Sequence, residues 1–110
     1  MGIQIWSEDI FLVDLPKEPE MSNELEVLIK QIAAESKNVV LDFSNVDVIR
    51  ASSISKLLKL RKLLNDQKRR LILCNVAPAT KCIFMVTGLD ETFEFADNKF
   101  VALTQDNLAS

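Results

Sequence analysis

Two short runs constrain this chain more than anything else in it: Val39-Val40-Leu41, continuing to Phe43, and Leu71-Ile72-Leu73-Cys74. Both are unbroken stretches of aliphatic residues without the apolar–polar alternation of a strand that has one wet face. Strands of this kind are covered on both sides, which places them near the centre of a mainly parallel sheet.

The remaining segments supply the cover. From Ser22, Leu25, Leu28, Ile29, Ile32 and Ala33 follow helical spacing, with Glu24 and Glu26 in the first turn. Ile54, Leu57, Leu58 and Leu64 predict a second inward-facing helix over about 53–66, with Ser52 or Ser53 as its cap. Pro78 opens a third helix with Cys82, Ile83 and Val86 on its inner side, and Gly88 stops it. Phe93 to Ala96 reads as a short strand, and Asn98 to Leu108 as a last helix with Val101, Ala102 and Leu108 inward. Two β-favouring runs, Ile3 to Trp6 and Ile10 to Leu15, precede all of these, joined by a Ser-Glu-Asp turn. The order is ββαβαβαβα, an α/β chain with an antiparallel first strand, a mainly parallel sheet and about four flanking helices.

A length of 110 residues, 48% hydrophobic and 26% charged, predicts one globular domain over 1–110. No apolar run reaches the roughly 20 residues of a membrane span, and Glu8 and Asp9 stand where a secretory leader would be apolar. A cytoplasmic location and no membrane insertion are expected. Cys74 and Cys82 form no Cys-x-x-Cys pair and each lies in an apolar segment, which predicts buried, reduced thiols.

The chemical inventory is thin. With no His, there is no Ser-His or Cys-His nucleophile, and two glycines cannot build a phosphate loop. Asp42 and Asp47 near the end of the central strand read as a capped strand end and a solvated loop acid, so no catalytic residue, metal or cofactor is assigned. A ligand crevice at Asp42, Ser44 and Ser52, beyond the strand ends, is the enzyme or sensor alternative. The net charge of −3 argues against direct nucleic-acid binding. Within it, Arg50, Lys56, Lys59, Arg61, Lys62, Lys68, Arg69 and Arg70 face Asp66 as their one acid, either the wet face of a helix or a docking surface for an acidic partner.

The segment from Leu41 through Arg50-Ala51-Ser52-Ser53-Ile54 to Leu60, with Leu71 to Lys81 and Thr87-Gly88-Leu89, resembles the STAS family of anti-sigma-factor antagonists over about Val39 to Ala96. The resemblance implies a non-catalytic, partner-switching regulator that binds an anti-sigma factor or serine kinase. In that family a loop reading roughly Asp-Ser-Ser-Gly-Leu enters a helix, and the serine after the aspartate accepts phosphate. Here Arg50 takes the aspartate position, Ala51 the acceptor position, and Ser52 and Ser53 the next two. Alanine has no oxygen to phosphorylate. Either the switch is absent or the acceptor has shifted to Ser52, where a helix N-terminus and Arg50 would favour a phosphate. The resemblance assigns partner contact to Arg50, Ala51, Ser52, Ser53, Lys56 and Lys59. Its alternative is a small cytoplasmic accessory subunit of a membrane transport complex.

Overall fold

A computed structural model describes residues 2–104 of the chain. The elements run β1 (Gly2–Ser7), β2 (Ile10–Asp14), α1 (Glu20–Ala34), β3 (Asn38–Asp42), α2 (Ala51–Asp66), β4 (Leu71–Cys74), α3 (Pro78–Val86), β5 (Glu94–Ala96) and α4 (Lys99–Leu103). They form a five-stranded sheet in the order β1-β2-β3-β4-β5, with β1 antiparallel to β2 and the other pairs parallel. The predicted element order and the antiparallel first strand are both found.

Right-handed crossovers between parallel strands laid down in chain order place every connecting helix on one face. Strand alternation shows this division. Phe11, Val13, Val39, Leu41, Leu71 and Leu73 point into a large core with Leu25, Leu28, Ile32, Leu57, Leu60 and Phe84 from α1, α2 and α3. Their neighbours Ile10, Leu12, Val40, Ile72 and Cys74 point the other way, under Ala102 and Leu103 of α4. All five residues of β3 are buried, as expected of a strand covered on both faces.

Several boundaries and faces differ from the sequence expectation. α1 begins at Glu20, bringing Met21 into the core, while Ala33 is exposed. α2 begins at Ala51, and its inner side is Ser53, Leu57, Leu60 and Leu64; Leu58 is 38% exposed. The 3.6-residue period admits either leucine at the edge of the stripe, and packing selects Leu60.

α3 turns Thr80 and Phe84 inward and keeps Ile83 partly buried against the core as expected, but leaves Cys82 and Val86, also expected inside, exposed. The cause is aromatic packing: the Phe84 ring meets Phe93 and Phe95, each at 5.7 Å between centroids. β5 is one residue shorter than expected, although Phe93 is buried beside it. α4 ends at Leu103 with Val101 39% exposed, and Leu108 lies outside the described residues.

The two thiols therefore differ. Burial, then the nearby Asp42 and Asp14 charges, pushes Cys74 up to about 12 against the opposing effect of Lys99, whereas Cys82 is exposed. At about pH 8 the folded protein should consume one equivalent of a thiol-specific disulfide reagent through Cys82, and a second only after unfolding. Counting labelled cysteines by mass spectrometry checks this.

Candidate functional site

The parallel register aligns Asp14, Asp42, Cys74 and Ala96 across the carboxyl end of the sheet. The segment from Phe43 to Arg50 leaves this end and turns back into α2. Two buried side chains, Val46 and Ile49, pin it to the core, and Val46 N–H donates to the Phe43 carbonyl at 2.9 Å. Ser44, Asn45, Asp47, Val48 and Arg50 stay at the surface.

Asp42 anchors the start of this segment. Its side chain is nearly buried, and one carboxylate oxygen accepts from the Ser44 N–H at 2.9 Å, the Ser44 hydroxyl at 2.5 Å and the Asn75 amide at 3.1 Å. Lys99 Nζ lies 3.9 Å from the other oxygen. Burial raises the pKa of Asp42, but the Ser44 and Asn75 hydrogen bonds and the Lys99 charge outweigh it and hold the carboxyl below its ordinary value. The group is a clamp joining β3, the β4–α3 connection and α4.

Asp47 points to solvent and lies 3.9 Å from Lys17, so the structure does not join the two aspartates into one site. The crevice expected at Asp42, Ser44 and Ser52 coincides with neither of two cavities found among the described residues. Ser44 is spent on Asp42, and cavities of about 300 and 420 Å³ are lined by other residues.

The end of the segment is held by a carboxylate that sequence reasoning missed. Glu18 Oε2, from the β2–α1 connection, accepts the Arg50 N–H at 2.8 Å and the Ser53 hydroxyl at 2.6 Å. The first turn of α2 contains no acid and no side-chain cap of its own. Glu18 supplies the anion that a helix N-terminus favours. Neither Ser52 nor Ser53 caps the helix as expected; Ser53 is fully buried and serves as a donor to Glu18. Glu18 sits between Lys17 and Pro19, outside any periodic pattern, and meets residues 32 and 35 positions away, so no local signal reveals it.

The expected contact residues accordingly separate. Arg50, Ala51, Ser52 and Lys59 are exposed at the start of α2 and along its outer side. Ser53 is internal. Lys56, expected outside, is half-buried and bonds Ser22 Oγ at 2.8 Å and Glu26 at 3.3 Å, tying α2 to α1. Much of the basic stretch is also spent within the fold: Lys62 on Asp66, Arg69 on Asp9, Arg70 on Glu94, and Arg61 on the Thr92 carbonyl at 2.6 Å. Arg50 and Lys59 make no ion pair among the described residues. Val48, 60% exposed, and Leu58 add apolar area that the periodicity did not predict.

A family model described as the STAS domain matches residues 20–102. No curated protein matches the sequence. Solved structures share the fold at low identity. An anti-sigma-factor antagonist (STAS) domain protein from Planctomyces limnophilus is 19% identical, covers 100% of both chains and superposes with a TM-score of 0.78. The phosphorylated Bacillus cell fate determinant SpoIIAA is 14% identical over 92% of this chain and 95% of its own, with a TM-score of 0.69. A sulfate transporter family protein from Wolinella succinogenes is 19% identical over 86% and 80%, with a TM-score of 0.70.

Two outcomes follow from these contacts. Asp42→Ala should cost about 2 kcal/mol at neutral pH, because it strands donors that a buried charged acceptor satisfied. A carboxyl whose folded pKa is depressed stabilises above its unfolded value, 3.8 for a free aspartate, and that contribution disappears as pH falls through the lower folded value. Urea titrations should therefore show a constant gap between the variant and wild type from neutral pH to about 5, narrowing below about 4.

Glu18→Ala and Ser53→Ala should each cost about 1 kcal/mol, as the loss of a helix cap does. The double variant should cost clearly less than their sum in a denaturation cycle, since both remove the same bond.

Proposed function

Because this chain belongs to the STAS domain family, we propose that it is a regulator of the anti-sigma-factor-antagonist type that binds an anti-sigma factor or serine kinase in the cytoplasm. Antagonists of this family are non-catalytic in their known members, and the absence of histidine and of a phosphate loop agrees with a binding role. The observation that carries the reading is the start of α2, where Arg50, Ala51 and Ser52 are exposed at the end of a loop and in the first helical turn, held from below by Asp42 and Glu18. Lys59 and Leu58 extend this surface along the helix. Ser53 and Lys56 support it from behind without reaching the partner.

Ala51 occupies the family's acceptor position, so binding there is not relieved by phosphorylation of residue 51. Ser52 is the neighbouring hydroxyl, exposed beside Arg50 at the positive end of the helix. A phosphate on it would add about two negative charges next to the Glu18 carboxylate and strain the cap.

The second reading is an accessory subunit of a membrane transport complex, favoured by the fold shared with the Wolinella succinogenes sulfate transporter family protein. No described helix is long and apolar enough to cross a membrane itself. Affinity capture with the tagged chain separates the two: an anti-sigma factor or serine kinase is the expected catch, and a transporter subunit supports the second reading. Against the captured partner, Arg50→Glu and Lys59→Glu should each weaken binding about tenfold, as loss of charge complementarity does. Incubation with the kinase and ATP should phosphorylate Ser52 or no loop serine, as read by mass spectrometry; with Ala51→Ser, phosphate at the restored position should release the partner.

A further inference from the structure

The two edges of the sheet are protected very differently. β5 has three residues, carries Glu94 paired with Arg70, and has Lys81 laid over its Phe95 ring at 3.9 Å. Short length and charge are the usual means of keeping a sheet edge from recruiting another strand. β1, at the opposite edge, has neither; its one irregularity is a register shift against β2 between Ile5 and Ser7, at its carboxyl end, while Ile3, Gln4 and Ile5 pair with β2 in regular register. Its six residues, Gly-Ile-Gln-Ile-Trp-Ser, include no charge and no proline. Gln4 is exposed, and Ile5 and Trp6 are 71% and 56% exposed. Such a strand presents unpaired backbone N–H and C=O groups beside apolar side chains.

We propose that β1 is a self-association edge, where two copies of this chain pair antiparallel about a twofold axis at Gln4 and join their sheets into one. The sequence of the strand selects a second copy as the occupant. About that axis Gln4 faces its own counterpart, and Ile3 faces Ile5 of the second copy on both sides, giving two matched aliphatic pairs. An uncharged strand meets itself without the repulsion that self-pairing of a charged edge would bring.

The guarded β5 edge stops growth at two copies, so the contact closes as a dimer and does not continue into a fibre. A six-residue edge is smaller than a permanent interface, so the dimer dissociates on dilution. The axis stands perpendicular to the sheet. Both α1–α3 layers therefore lie on the same face, and the two Arg50–Ser52 surfaces sit at opposite ends of the joined sheet, both open.

Sedimentation equilibrium of the full chain tests this with Gln4→Glu and Gln4→Lys, changes at an exposed position whose folding circular dichroism verifies. Up to about 0.5 mM, well above the constants of weak complexes, the wild-type mass should rise from 12.4 kDa toward twice that value. Each variant alone should need at least about tenfold higher concentration, because like charges face each other across the axis. An equimolar mixture of the two should recover the dimer. A wild type that stays at monomer mass, variants that associate as well as wild type, or a mixture no tighter than either variant alone would overturn the proposal. Arg50→Glu should leave the self-association unchanged, which keeps this result separate from that of partner binding.

Discussion

The burial of β3 on both faces is the constraint from which the rest of the molecule follows. Each of its residues is withdrawn from water, which requires paired strands on either side and a layer above and below. Val39 and Leu41 belong to the three-helix core, and Val40 to the smaller core under α4. With β2, β3, β4 and β5 in chain order, the crossovers place α1, α2 and α3 together. The strand ends then align at one rim of the sheet. The segment that leads into α2 has to start from that rim, so the position of the candidate contact surface is a consequence of how β3 is buried.

The two carboxylates at that surface act as structural acceptors. Asp42 holds the beginning of the segment through Ser44 and Asn75, and Glu18 holds its end through Arg50 and Ser53. Between them, Val46 and Ile49 fix the middle by burial. The result is a supported platform on which Arg50, Ala51 and Ser52 project. Preorganised surfaces of this kind lose little entropy on docking. The acid at a helix start that a phosphoryl group would approach is already present in Glu18, so any added phosphate meets a resident anion.

The charge distribution is also partly consumed by the fold. Seen along the chain, the stretch from Arg50 to Arg70 is a basic block in an acidic protein. In three dimensions Lys56, Arg61, Arg69 and Arg70 reach residues on other elements and hold α2 and the start of β4 against α1, the β1–β2 turn and β5. What the fold leaves of this block exposed without an ion pair among the described residues is narrower: Arg50, Lys59 and Lys68, with the apolar Val48 and Leu58 nearby on the loop and α2.

The sequence by itself determined the order of elements, the central place of Val39–Phe43 and Leu71–Cys74 and the antiparallel first strand, because local period and composition encode these directly. The Arg50–Ser53 frame rested on the resemblance to a known family, since periodicity alone started the helix near residue 53 and not at Ala51. Only the tertiary structure decided which side of a helix is buried at the margins of its apolar stripe, as with Leu58 against Leu60, and Cys82 and Val86 against Phe84. It alone decided that Ser53 is internal and Lys56 half-buried, since the groups that engage them, Glu18, Ser22 and Glu26, are distant in the chain. A hydrogen bond between residues 35 positions apart leaves no periodic trace, and it exists only once β2, α1 and α2 have been packed on one sheet.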